Sequence, residues 1–122
     1  MEEALTTGQY AELLACQFLQ KHKLKLVTKN YHCRRGAIDL IMQDQQTLVF
    51  IEVRYRKNAR FGSALESVNH AKQAKILITA EHFLLQNTQA FSAYRFDVIA
   101  ITPTQDIKHP EIIWVKDAFH SN

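Results

Sequence analysis

Only two of the 122 residues are cysteine, and Cys16 and Cys33 stand in no metal-like spacing. That scarcity excludes a disulfide framework and points to a reducing compartment. Cys16 falls among apolar residues at helical spacing and reads as a small core side chain. Nowhere does an apolar run approach the roughly 20 residues that span a bilayer. The opening MEEALTTG is acidic and poor in apolar residues, unlike a secretory signal. Repeats, low-complexity segments and a convincing internal linker are all missing. Together these absences predict one cytoplasmic domain, residues 1–122, with no membrane segment.

What is present is an ordinary globular composition, 22% charged and 47% hydrophobic. The length suffices to bury most of the unfolded surface without staples. The formal charge of +3 and the sequence pI near 9.0 give a mild basic bias. Its distribution is uneven: from Lys21 to Arg60 there are ten Lys or Arg against three acids, Asp39, Asp44 and Glu52. Such a stretch suits a polyanion, because each phosphate contact releases counterions. It suits a solvated basic face equally well.

Thr6 and Gln9 form a capping box ahead of Ala11, Leu14, Ala15 and Phe18, which predicts a helix over 8–22. LKLVTKNYHC reads as a strand with Leu24, Leu26 and Thr28 on one side. The stretch GAIDLIMQDQQTLVFIEVRYR supplies two more, and KNARFGSA is a loop. A second helix runs from Val68 to about Leu85, with Ala71, Ala74, Leu77, Ile78, Leu84 and Leu85 as its apolar stripe. Glu81 falls near the middle of that stripe without an explanation. YRFDVIAI is a fourth strand and EIIWV a candidate fifth. The order α-β-β-β-α-β predicts an α/β domain, a mixed sheet flanked by helices.

Two carboxylates are out of place in this pattern. Asp39 sits between Ile and Leu, and Glu52 between Ile and Val, where a buried strand favours apolar residues. If the second and third strands form a hairpin turning at Gln45-Gln46, Asp39 lies directly opposite Glu52, on the same sheet face. Opposed like charges are destabilising, and more so when desolvated. Such a pair persists with a shared proton, a basic neighbour or a bound cation. Hard oxygen donors suit Mg²⁺, which takes one or two carboxylates plus waters and phosphates. Along the third strand, Leu48, Phe50, Glu52, Arg54 and Arg56 share one face, apolar at first and charged at its end. Arg54 or Arg56 could equally neutralise the acids in a salt-bridged cluster without chemistry. Glu12, bordering the apolar stripe of the first helix, could reach the rim of a cleft on that face.

In order and spacing these segments resemble the YraN family, small bacterial proteins of the restriction-endonuclease-like PD-(D/E)xK fold described as predicted nucleases. The resemblance runs through GQYAELLA at 8–15, NY at 30–31, RRGAIDLI at 34–41 and LVFIEVRYR at 48–56. FGSA at 61–64, KQ at 72–73 and RFDV at 95–98 continue it. It implies a restriction-endonuclease-like core with Asp39 and Glu52 as metal-binding carboxylates and Glu12 as the supporting acid of the first helix. Lys72 and Gln73 match the start of a second helix that faces the cleft, while Arg95 and Asp97 suggest a structural ion pair. The family usually has Glu where this chain has Ala37, and Lys where it has Arg54. Arginine keeps the positive charge but does not readily lose a proton, and its guanidinium is broader than an ammonium.

Three functions compete at this level. One is a nuclease using Mg²⁺ or Mn²⁺, with Asp39, Glu52, Arg54 and Glu12 in the catalytic site. Arg34, Arg35, Arg56, Lys57, Arg60, Lys72 and Gln73 would hold nucleic acid, DNA foremost, branched or otherwise structured rather than read by sequence. The second is a nucleic-acid-binding protein that kept the fold and lost turnover, favoured by Arg54 and Ala37. The third is an interaction protein with neither activity. The six histidines show no ligand spacing. Trp114, Tyr31 and Phe61 are candidates for stacking on bases or, more ordinarily, for the core. EIIWV could pair with the same strand of a second copy to give a homodimer.

Overall fold

The computed structural model describes residues 4–57, 63–87 and 91–120. Five strands form one sheet in sequence order, β1 (Lys25–Cys33), β2 (Gly36–Asp44), β3 (Thr47–Tyr55), β4 (Ala93–Thr102) and β5 (Glu111–Phe119). All neighbours are antiparallel except β3 and β4, which run parallel. That parallel pair requires a crossover, and the crossover carries α2 (His70–Gln86) after a 3-10 turn at Leu65–Ser67. Helix α1 (Thr7–Lys21) precedes the sheet. The observed order is the expected α-β-β-β-α-β with a fifth strand added, in a mixed sheet.

Alternation along the strands feeds two cores. Leu40, Met42, Val49, Ile51, Ile99 and Ile101 pack with Ala11, Ala15 and Leu19 of α1. Ile41, Leu48, Phe50, Phe96 and Val98 pack with Ile76, Ala80 and Phe83 of α2. The capping box forms as expected: Gln9 N donates to Thr6 Oγ1 at 3.1 Å and Thr6 N to Gln9 Oε1 at 3.0 Å.

Helix α2 corrects the expected stripe. Its buried residues are Ile76, Thr79, Ala80 and Phe83. Ile78 and Leu85 face solvent, Leu85 being 86% exposed, and Ala71 and Ala74 are exposed as well. The helix is apolar around much of its circumference, so periodicity alone does not choose a face. The sheet chooses, by seating Phe83 edge-on against Phe50 and Tyr31. Glu81 then lies outside the buried set and needs no partner in the core.

Strand β1 also departs from strict alternation. Leu24 is buried just ahead of it, whereas Leu26 stays 39% exposed at the sheet's edge, beside a register shift between Leu26 and Thr28. Asn30 has φ 53°, and on the opposite edge strand Asp117 has φ 52°. Irregular edges of this kind resist addition of further strands.

Candidate functional site

The hairpin of β2 and β3 turns at Gln45-Gln46 in the expected register, with Asp44 opposite Thr47 and Leu40 opposite Ile51. There the ladder between them ends. Beyond it β2 continues to pair with β1 as far as Gly36, and β3 with β4 as far as Tyr55. The sheet therefore forks, and Asp39 and Glu52 are the first residues inside the fork. The carboxylate of Asp39 crosses it: Oδ2 accepts from Val53 N at 2.8 Å. A side chain thus satisfies a backbone donor that the departing strand no longer meets. The facing of β2 changes here too, since Ile38 belongs to the α2 core and Leu40 to the α1 core.

Glu52 is only 4% exposed. Arg54 Nη1 and Lys72 Nζ each lie 3.7 Å from its Oε2, one from the same strand and one from the first turn of α2. Burial first, then the charge of Asp39 and a hydrogen bond with it, push the Glu52 carboxyl up to about 8, against the opposing pull of Lys72 and Arg54. Desolvation outweighs both cations because it acts on the buried oxygens directly, while the cations are partly solvated. At neutral pH Glu52 accordingly keeps its proton beside Asp39. Glu12 approaches from the α1 side: burial and Asp39 raise its pKa, with Asn30 and Lys29 opposing. Among the described residues, no group of three or more His, Cys, Asp or Glu is placed to hold a metal together. Asp39 and Glu52 remain a two-carboxylate oxygen set, which fits an ion that completes its shell with water and phosphate.

The basic residues divide. Lys21, Lys23 and Lys25 lie at the end of the sheet away from the fork, where α1 enters β1. Arg34 and Arg35 occupy the β1–β2 turn at the fork's tip, exposed. Arg54 is half-buried within β3; Arg56 and Lys57 follow the strand, Arg56 half-buried and Lys57 exposed. Arg56 N donates to Ile101 O at 2.9 Å, tying the end of β3 to β4. Arg60 and Phe61 lie outside the described residues. Gln73 turns inward, its Nε2 donating to Val68 O at 2.9 Å. Ala37 is half-buried opposite His32. Lys72 in direct contact with Glu52 is the element that strand periodicity had no means of finding, because it comes from another layer.

The other aromatic candidates serve packing. Trp114 meets Phe18 and His22 edge-on and donates Nε1 to Asp97 at 2.9 Å; Tyr31 packs on His82 and Phe83. Fully buried Asp97 also accepts from Arg95 Nε at 3.0 Å and from Asp117 N at 2.9 Å. Arg95 reaches Asp44 at 3.1 Å, so the RFD stretch pins three strands at the end of the sheet away from the fork. No helix among the described residues is long and apolar enough to cross a membrane.

A small mixed α/β protein whose sheet splits around an acid pair, Glu52 buried and Asp39 half-buried, is what fold and site define. Residues 11–101 match the model described as "Uncharacterised protein family UPF0102", and the chain belongs to that family, the one whose YraN pattern its motifs resemble. It is 49% identical to a UPF0102 protein of Nitrosococcus oceani, over 92% of this chain and 90% of that one. With a UPF0102 protein of Saccharophagus degradans it shares 50% identity, over 95% and 94% of the two chains. A UPF0102 protein of Stutzerimonas stutzeri is 43% identical over 99% of this chain and its own full length.

Proposed function

We propose that the chain is a divalent-metal-dependent nuclease acting on branched or otherwise structured nucleic acid, with the fork as its active site. The observation that carries this reading is the pairing of Asp39 with Glu52 at the point where β2 and β3 part, with Lys72 and Arg54 on Glu52. Asp39 alone has a structural use, since it satisfies Val53 N–H; the fold has no such need of Glu52, where an apolar residue would cost less. Asp39, through its second oxygen, and Glu52, once ionised, would hold Mg²⁺ or Mn²⁺. When bound, such an ion supplies positive charge against a phosphate and an acidified water. The protein's own contribution is positional and electrostatic. Arg54 and Lys72 stabilise negative charge developing on a phosphate brought against Glu52. Arg34, Arg35, Arg56 and Lys57 flank the opening and hold the adjoining backbone without reading bases. The Val53 N–H fixes the rotamer of Asp39.

A second reading, binding without turnover, is favoured by one observation: of the two cations beside Glu52, the one on its own strand is an arginine that cannot give up a proton. The same experiment separates the two. Purified protein is incubated with labelled junctions, flaps, single strands and duplexes of DNA and RNA, with Mg²⁺, Mn²⁺ or EDTA. Metal-dependent cleavage by wild type and its loss in folded Asp39→Ala supports the nuclease. Binding without cleavage, with cleavage gained in Arg54→Lys, supports the binder. No binding at low salt removes both.

A further inference from the structure

Eight of the aromatic side chains, the phenylalanines, tyrosines and tryptophan described above together with Tyr94 and Phe119, are engaged in ring pairs. Tyr10 and Tyr55 are not: among the described residues neither ring meets another aromatic ring, and neither hydroxyl has a hydrogen-bond partner. They are 40% and 37% exposed and both line a hollow of about 160 Å³. Buried Ile101 and the residues Pro103, Ile107 and Pro110 also line it. Ile107 is 84% exposed beside it. Two tyrosines, two prolines and an isoleucine at the surface are an apolar expense that no core explains.

The position of this hollow gives it a meaning. Tyr55 stands three residues beyond Glu52 on β3, about 10 Å along the strand, and faces the α1 side of the sheet with Ile101, on the other face from Glu52 and Arg54, so that the open end of the fork joins the two. Tyr10 is on the first turns of α1, the same helix that brings Glu12 toward Asp39. The nearby charge is basic: Lys57 follows Tyr55 by two residues and Lys108 is exposed in the 103–110 loop, while Asp106, the one acid of that loop, is held by His109 Nδ1 at 2.7 Å and Lys108 N at 3.0 Å. The volume is well under the roughly 300–1,000 Å³ of ordinary small-molecule pockets, so it suits one planar ring system rather than a whole cofactor. A flat heterocycle attached to a polyanion matches both the shape and the charge.

We infer that the Tyr10–Tyr55 hollow is a stacking site for one unpaired nucleobase, held there while the phosphate of an adjoining nucleotide lies in the fork. This rests on the nucleic-acid function proposed above and specifies its substrate: a strand with at least one base free of its duplex partner, as at an end, flap or junction. A fully paired strand cannot fill the hollow without losing a pair. Aromatic platforms tolerate any base because every base offers a π-face.

The test compares a short single-stranded oligonucleotide carrying one 2-aminopurine with a blunt hairpin duplex, in EDTA so that no strand is cut. Wild type should quench 2-aminopurine on binding and favour the single strand. Tyr10→Ala and Tyr55→Ala should each narrow that preference by about five- to a hundred-fold, the effect of losing one base stack, and weaken the quenching. Tyr10→Phe and Tyr55→Phe, which keep the π-face, should retain both. Both positions are at the surface, and unchanged melting temperatures establish that the variants fold. Equal loss of single-strand and duplex binding, or no change in either, overturns the stacking site and leaves the proposed function standing. Absence of binding by wild type to either probe at low salt overturns that function as well.

Discussion

Replacing Glu52 by glutamine isolates the acid pair from every assumption about substrate. In the folded chain Glu52 holds its proton up to about pH 8; its ordinary value is 4.5. A carboxyl raised in this way gives stability that is complete below pH 4.5 and is lost as pH climbs through 8, because over that window the folded state binds a proton the unfolded state has released. Three and a half pH units at 1.36 kcal/mol each amount to about 5 kcal/mol as pH reaches 8. Glutamine keeps the shape and can still donate to Asp39, but it does not titrate. Urea denaturation of the two proteins, without divalent metal, should therefore give nearly equal stabilities at pH 5 and a difference that widens in the variant's favour with pH. By pH 8 the variant should melt higher by on the order of 10 °C. Parallel profiles from pH 5 to 8.5 would refute the reasoning, since they would mean that Glu52 ionises at its ordinary value and that Lys72 and Arg54 suffice to hold its charge.

The same proton gates any metal. Mg²⁺ or Mn²⁺ should raise the melting temperature of wild type more at pH 8 than at pH 6.5, with proton release in calorimetry, because Glu52 must ionise to bind; an equal shift in Asp39→Asn would place the ion elsewhere. Asp97→Asn should cost about 3 kcal/mol or more by leaving Arg95 short of its buried partner, measured by urea melts and expected to leave Glu52 titration unaltered. Leu19→Ala, on the fully buried face of α1, should cost about 2–5 kcal/mol. Gly36→Val should destabilise by about 1–3 kcal/mol, since even a Cβ at Gly36 would lie 3.1 Å from Thr79 Oγ1 on α2; a neutral result would show that α2 can move off the sheet.

How much was legible in the chain follows from the range of each interaction. Element order, the capped first helix and the hairpin register are local: they depend on periods of 3.6 and 2 and on a turn, all within a few residues. For that reason the sequence alone placed Asp39 opposite Glu52 and put Arg54 on the same face. The buried face of α2 was not local. An apolar helix offers several faces, and the sheet's aromatic residues selected the one with Ile76 and Phe83 rather than the one with Ile78 and Leu85. Nor was the division of the basic stretch, because antiparallel strands send neighbours in sequence such as Lys25 and Arg35 to opposite ends of the sheet. Lys72 on Glu52 and Tyr10 beside Tyr55 each join residues from different layers. The motifs supplied the acids; tertiary structure alone decided where the sheet would part around them, because a fork exists only between strands that have different partners.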